Sequence, residues 1–497
     1  MLGGNKVEQN LNHEFFNILQ NNWDKKFIVD ALNKKSITYE DFFYDVLKMK
    51  NYINSYIHEN FLIAILPNSY NLITLYMAAL FEQKVIVPID PEKSINEINE
   101  IVGLFDNAAV ICDEYHYNLL LTDKQKKILY LKDEKLTTFH RDVVISLVEN
   151  IDYNRDFLIT FTSGSTGKPK GVRHSFGNLV KSAVAFKERF GFNEKHIFYH
   201  NLPMSYMAGI LNTFILPLIS KSKIVIGERF AFKNCSNFWQ YPIHYNVNVF
   251  WFTPTILALL LKLDRSDEGK IYCATQDIIG LVGTAPLTLN VKKNFERIYK
   301  VPLYESYGLS EYLFLASNAP GKSYEKTVGT LLRGVSISNN STNEILVKTN
   351  WDFFGYFPEG TEDTQNKDYY KTGDLGSLNE EGYLAITGRI KDIIIRGGVN
   401  ISPKKIEDLL ETFVQFEEFA VIGIEDELIG EKTVCFYSSE LKKISQSDKV
   451  ELKKLLLLQL GANYIIDEYI NLDHLPKNIN GKIDKIKLRE LYKGLER

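Results

Sequence analysis

Short apolar runs alternate along the chain with stretches whose apolar residues recur every three or four positions. Residues 62–66 form an early apolar run, and a helical pattern follows over 69–81. Another run at 85–87 precedes a helix face made by Ile98, Ile101, Val102 and Phe105, and 108–112 is apolar again. The alternation returns at 157–161 with a helix near 178–190, and at 247–252 with 256–263. Short apolar runs interleaved with helical periodicity predict βαβ units and a largely parallel sheet, so the expected fold class is α/β. No repeat of fixed period and no low-complexity segment interrupts the pattern.

After about residue 377 the units become smaller and more charged. Strands are expected at 383–387, 392–396, 419–424 and 433–437, and helices over 403–413 and 448–460, followed by a basic tail helix. This predicts a separate α+β lobe of roughly 100 residues, within the two to four domains that 497 residues allow at roughly 150 per domain.

Composition narrows the classes. Hydrophobic residues make up 45% and charged residues 24%, which excludes a wholly disordered chain. Lys and Arg number 58 against 62 Asp and Glu, a net charge of −4, so the basic footprint of a nucleic-acid binder is missing. Cys112, Cys235, Cys273 and Cys435 form no CxxC pair, which leaves zinc ribbons and thioredoxin-type chemistry without support and predicts buried, reduced thiols. The opening residues lack a signal-peptide core. The most apolar stretch, 249–261, is interrupted by Thr253, Pro254 and Thr255, and a bilayer span needs about 20 apolar residues. A cytoplasmic protein without stable membrane insertion is expected.

With only 30 glycines in the chain, a cluster of them carries information. Thr162-Ser163-Gly164-Ser165-Thr166-Gly167-Lys168-Pro169-Lys170-Gly171 follows an apolar strand and is expected to precede a helix. Glycines let backbone N–H groups turn inward as an anion nest, hydroxyls add donors and lysines add charge, a combination suited to a triphosphate. It is not a Walker A loop, because Thr162 stands five before Gly167 and Pro169 follows Lys168. Nor is it a GxSxG hydrolase elbow.

These residues resemble the signature loop of the AMP-forming acyl/aryl-CoA synthetases, the adenylate-forming superfamily that includes luciferases and peptide-synthetase adenylation domains. The resemblance continues in order from about Phe157 to the end of the chain. It implies that Thr162, Ser163, Gly164, Ser165, Thr166, Gly167, Lys168 and Lys170 bind ATP. Tyr304-Glu305-Ser306-Tyr307-Gly308-Leu309-Ser310-Glu311 is similar to the adenine and magnesium motif. By that likeness Tyr307 stacks on adenine, Ser310 keeps a hydroxyl for the α-phosphate where Thr is usual, and Glu311 ligates Mg²⁺. Gly283-Thr284-Ala285-Pro286 resembles a Gly-Gly-Ala-Pro turn beside nucleotide and acid. Thr284 replaces a glycine and is expected to narrow the pocket.

Tyr370-Lys371-Thr372-Gly373-Asp374 matches the ribose motif, with Asp374 as acceptor of the ribose hydroxyls. In Gly388-Arg389-Ile390-Lys391-Asp392, Arg389 would contact ribose and phosphate, and Lys391 takes the hinge position. Gly397 and Gly398 would line a thiol channel. Leu475 to Lys485 matches the C-terminal lysine motif, with Asn478 and Lys485 as mild departures, and makes Lys482 the adenylation lysine. Tyr206 stands where many relatives carry an aromatic residue or His over the acyl pocket. Met207 stands where amino-acid-activating relatives place an Asp, so an α-amino acid substrate is disfavoured.

The resemblance implies a large N-terminal lobe with parallel-rich sheets, residues 1–390, and a small mobile α+β lobe, residues 391–497. It implies ATP- and Mg²⁺-dependent activation of a carboxylic acid, then thioester formation with coenzyme A. Two alternatives stay open. One is transfer to the phosphopantetheine of a separate carrier protein, since no carrier domain is expected in the short stretch after Lys482. The other is an inactive homologue that only binds, against which the intact Glu311, Asp374, Arg389 and Lys482 argue.

Overall fold

The computed structural model describes residue 19 and residues 22–120, 127–130, 140–162, 169–358, 369–413, 418–438, 443–477 and 482–495. Two large sheets build the first part of the chain. In the nine-stranded sheet, Leu303–Leu309, Ile279–Val282, Val249–Phe252, Ile197–His200, Lys223–Ile226 and Lys26–Asp30 lie side by side and parallel. Antiparallel strands close both flanks, Leu313–Ser317 and Thr330–Leu331 at one, Lys35–Thr38 at the other. The seven-stranded sheet has a parallel centre of Asp156–Thr162, Val85–Pro88, Phe61–Ile65, Ala108–Cys112 and Lys127–Tyr130.

The apolar runs were legible because these strands are covered on both faces. Every residue of Ala108–Cys112 and of Val85–Pro88 is buried, so polar alternation is not tolerated there. Helix Tyr70–Phe81 is buried nearly all round, with Ser69 capping it through Leu72 N–H. Helices Tyr39–Tyr56 and Ile95–Gly103 begin in capping boxes, Thr38 with Asp41 and Ser94 with Glu97.

Two expectations are corrected. The glycine-rich loop does not run from strand to helix. It joins two antiparallel strands, Asp156–Thr162 and Lys170–Ser175, with Thr162 opposite Lys170 and Phe161 opposite Gly171. The helix starts only at Phe176, where Ser175 caps Asn178 N–H. Lys170–Ser175 is too short and too polar to show as an apolar run, and its place is fixed by pairing. Second, the strand expected at 383–387 as part of the small lobe is Leu384–Arg389, the edge of a four-stranded antiparallel sheet with Val335–Asn339, Glu344–Thr349 and Tyr370–Leu378.

The sheet that follows is separate. Val399–Ile401, Ile394–Arg396, Gly430–Ser438 and Glu418–Asp426 pair antiparallel, and Glu468–Asn471 adds parallel to Gly430–Ser438. Helices Pro403–Phe413, Gln446–Gln459 and Lys485–Leu495 cover it. Alternate residues of its strands fill two apolar layers. Val421 and Cys435 pack with Ile406, Leu410, Leu452 and Leu456, whereas Ile422, Val434 and Phe436 pack with Leu488 and Tyr492. All four cysteines are buried free thiols. Among the described residues, no helix is long and apolar enough to cross a membrane.

Candidate active site

The centre of the site is a carboxylate that three parts of the chain share. Asp374 and Arg389 are directly opposite each other across the antiparallel pair Tyr370–Leu378 and Leu384–Arg389, so the ladder register itself brings them together. Arg389 Nε lies 2.7 Å from Asp374 Oδ1, and Tyr307 donates its hydroxyl to Oδ2 at 2.7 Å. Asp374 is only 2% exposed, while Arg389 is 43% exposed. Thr372 accepts from Asp374 N–H at 3.0 Å and donates to the Ile345 carbonyl at 2.7 Å, tying the turn to the neighbouring strand. Gly373 between them has φ +72°, a conformation that favours glycine. Each carboxylate oxygen keeps a second lone pair beyond its protein partner, which is the capacity that two ribose hydroxyls require. Burial pushes the Tyr307 hydroxyl well above its ordinary pKa, and the Asp374 charge adds to this, so it stays a donor.

A second cluster surrounds Glu311. Tyr356 donates to Glu311 Oε1 at 2.9 Å and lies 2.7 Å from the Tyr370 hydroxyl. A carboxylate only accepts, so the Tyr356 proton goes to Glu311 and Tyr370 supplies its proton to Tyr356. Lys170 stands over the Tyr356 ring, 5.5 Å from its centroid. His174, fully buried, donates from Nε2 to the Ser310 carbonyl at 2.7 Å and so holds the turn that carries Ser310 and Glu311. Burial lowers its pKa to about 4, which keeps the ring neutral.

Among the described residues, no cluster of three or more His, Cys, Asp or Glu could hold a metal ion. Glu311 offers one hard carboxylate beside the Ser310 turn. That fits Mg²⁺ shared with phosphate oxygens and water rather than a protein cage. We expect Tyr356→Phe to raise the Mg²⁺ concentration for half-maximal rate about tenfold or more, the loss of one hydrogen bond to a charged group. A titration of initial rate against Mg²⁺ checks this, and an unchanged midpoint would remove Tyr356 from the role.

Lys482 reaches this region from the last part of the chain. Burial lowers its amine to about 8, Arg389 and Lys391 push the same way, and Asp374 opposes them. Arg389, Lys391 and Asp374 therefore lie within electrostatic range of Lys482. Lys391 is exposed in the short turn Ile390–Asp392. Gly397 and Gly398 form the exposed tip of the hairpin Ile394–Arg396 and Val399–Ile401, where Gly397 N–H bonds the Ile429 carbonyl at 2.7 Å. They belong to the small lobe's sheet and not to the Asp374 cluster.

Ser163, Gly164, Ser165, Thr166, Gly167 and Lys168 lie outside the described residues, as does the side chain of Thr162. Gly283 is buried, and a Cβ there would stand 3.1 Å from Ser306 Oγ and 3.5 Å from the Trp251 ring. Thr284 is exposed at φ +72°. A threonine there carries backbone strain that a glycine would not. Tyr206 and Met207 are half-buried at the start of the π-helix Ala208–Ile215. Asn68 pins their loop, donating to the Leu202 carbonyl at 2.7 Å and accepting from Met204 N–H at 2.8 Å. Sequence reasoning missed Tyr356, His174 and a role for Tyr370. Tyr356 acts on a residue 45 positions away and had no local signal.

The AMP-binding enzyme family matches residues 15–348. The chain is 30% identical over 351 residues to a 2-succinylbenzoate–CoA ligase of Listeria monocytogenes, covering 70% of this chain and 72% of that one. It is 28% identical over 372 residues to a malonate–CoA ligase of Arabidopsis thaliana, covering 68% of this chain and 60% of that protein's length. The structure of ATP-bound MatB from Rhodopseudomonas palustris superposes with a TM-score of 0.84 at 23% identity, covering 98% and 99% of the two chains.

Fold and site together define a two-lobed nucleotide-handling α/β protein. The chain belongs to the AMP-binding enzyme family, within the adenylate-forming superfamily of acyl- and aryl-CoA synthetases. The match begins far before Phe157, where the motifs start. The earlier residues supply parallel strands of the seven-stranded sheet, which are apolar and carry no motif.

Proposed function

We propose that this protein activates a carboxylic acid with ATP and transfers the acyl group to coenzyme A. The observation that carries this reading is the convergence of Lys482 with Asp374 and Arg389, groups far apart in sequence. An acid oxygen attacks the α-phosphorus, the bond to pyrophosphate breaks, and acyl-AMP forms. Attack brings two anions together, and Lys482 and Arg389 supply the opposing charge where it develops. Asp374 holds the ribose, and Tyr307 orients Asp374 and lies beside the base. Mg²⁺ bound at Glu311 would shield the phosphate charge. In the second half the coenzyme A sulfur attacks the acyl carbon and AMP leaves with the electron pair of the broken C–O bond. The thiol proton passes to solvent.

The domain division falls at Lys391, with residues 1–390 in the large lobe and 391–497 in the small one. Rotation about Lys391 exchanges Lys482 for the Gly397–Gly398 hairpin between the two halves of the reaction. Lys391→Pro fixes φ at the pivot. It is expected to slow thioester formation from synthetic acyl-AMP about tenfold or more and to leave pyrophosphate exchange within about threefold. Equal loss in both assays would argue against a hinge at this residue.

The named substrates of the two relatives are dicarboxylic acids, which puts aryl and short-chain dicarboxylic acids first in a test panel. The test is pyrophosphate release with coenzyme A across aryl, short-chain, long-chain and hydroxy acids. Acid-dependent release is expected. Absence of release with every acid in the panel would point to the inactive binding homologue, and acyl-AMP without thioester would point to a carrier protein as acceptor.

A further inference from the structure

The face of helix Pro403–Phe413 that looks at the large lobe carries three charged residues one turn apart, Lys404, Asp408 and Glu411. Leu289 N–H donates to Glu411 Oε2 at 3.3 Å. Leu289 opens the large-lobe helix Leu289–Tyr299, whose cap Thr288 accepts from Val291 N–H through its hydroxyl and from Lys292 N–H through its carbonyl. A side chain of the small lobe thus satisfies a donor that the helix start leaves over. Next to it, Lys404 is paired with Asp408 at 2.5 Å. On the opposing surface Lys292, from the same large-lobe helix, pairs with Glu305 at 2.9 Å. Glu305 belongs to strand Leu303–Leu309, which also carries Tyr307.

The charges of the two lobes are coupled. Burial raises the Glu305 carboxyl, and Lys292 and Lys404 pull it back down. Burial likewise raises Glu411, and Lys404 and the Leu289 N–H oppose it. Beside this cluster, Ser402 donates to the Thr387 carbonyl at 2.9 Å, across the junction of the two lobes. This is the same pose in which Lys482 is coupled to Asp374 and Arg389.

We propose that Glu411 and Lys404 are positioning residues for acyl-adenylate formation: they latch the small lobe onto helix Leu289–Tyr299 and Glu305, in the pose that brings Lys482 to Asp374 and Arg389. The inference rests on the two-step reading given above. It assigns these two side chains no contact with substrate. The Glu411–Leu289 hydrogen bond runs between lobes, while Lys404 is paired with Asp408 on its own helix and acts on Glu305 through its charge, so a rotation of the small lobe about Lys391 breaks the first and weakens the second. The latch therefore favours the first half-reaction and opposes the second.

The test compares the whole chain with Glu411→Ala, Lys404→Ala and the double variant, assaying each half-reaction separately. Adenylate formation is expected to fall about fivefold in Glu411→Ala, the loss of one interlobe hydrogen bond, less in Lys404→Ala, whose charge acts across the junction without a direct contact, and most in the double variant. Thioester formation from synthetic acyl-AMP is expected to stay equal or rise. Wild-type adenylation should also weaken with added salt more steeply than that of the double variant. Glu411→Gln, which still accepts from Leu289 N–H, should recover part of the loss.

A readout without catalysis uses dyes at Phe232→Cys and Leu458→Cys, two exposed positions on the two lobes, the native cysteines being buried. The double variant is expected to broaden or shift the distance distribution. Equal loss in both half-reactions, or no change in adenylation with an unchanged distance distribution, overturns the latch. A wild-type protein that activates no acid overturns the reaction and leaves the distance measurement to decide the latch alone.

Discussion

Lys482→Ala is expected to lower acyl-adenylate formation about 10²–10³-fold while leaving thioester formation from synthetic acyl-AMP close to wild type. The asymmetry follows from where the charge is needed. Only the first half brings a carboxylate against a triphosphate, and only there does an ammonium group lower the barrier by opposing developing charge. Burial lowers the Lys482 amine to about 8, and Arg389 and Lys391 add to the effect. The lysine must be protonated to act, so the free-enzyme profile of kcat/KM for ATP should fall as pH rises through about 8. The second half-reaction should show no such limb from this group. Lys482→Arg keeps its charge above that pH and should flatten the limb, at reduced rate. Quenched-flow measurement of both half-reactions between pH 6.5 and 9.5 checks this. Loss of both halves in Lys482→Ala would remove the role.

Asp374→Ala should act on nucleotide binding, stability and pH together. It removes the partner of both Arg389 and Tyr307 and takes away the acceptor for ribose. We expect kcat/KM for ATP to fall at least about 100-fold, equivalent to about 2.7 kcal/mol. Breaking a buried ion pair costs about 3–5 kcal/mol, but Arg389 is 43% exposed, so about 1–3 kcal/mol of folding stability is the expected loss here. Asp374 also opposes the lowering of Lys482, so without it the alkaline limb should move to lower pH. Asp374→Asn keeps the shape, should lose less stability, and should shift the limb in the same direction. Denaturant melts and ATP-dependent pH profiles of both variants test this. A limb that stays in place would separate Asp374 from Lys482.

The apolar strands and the buried helices were legible because burial on both faces imposes an apolar reading that local sequence displays. Runs at 62–66, 85–87 and 108–112 became Phe61–Ile65, Val85–Pro88 and Ala108–Cys112. The helix expected over 403–413 became Pro403–Phe413. Lys170–Ser175 was not legible, since a short polar strand is defined by the neighbour it pairs with rather than by its own pattern. The same holds for Leu384–Arg389, whose sheet membership depends on its pairing with Tyr370–Leu378.

The chemistry divides in the same way. Residue type, spacing and order by themselves determined which groups can bind phosphate, ribose and metal, because a glycine turn, an aspartate or a lysine declares its chemistry locally. The tertiary structure decided which of them meet. Ladder register sets Asp374 against Arg389, a contact across 45 residues places Tyr356 on Glu311, and the seating of one lobe on the other joins Glu411 to Leu289. Those contacts exist only when distant segments are packed together. Apolar runs and motif residues are written in the order of the chain, whereas hydrogen-bond partners are chosen by distance in the folded state.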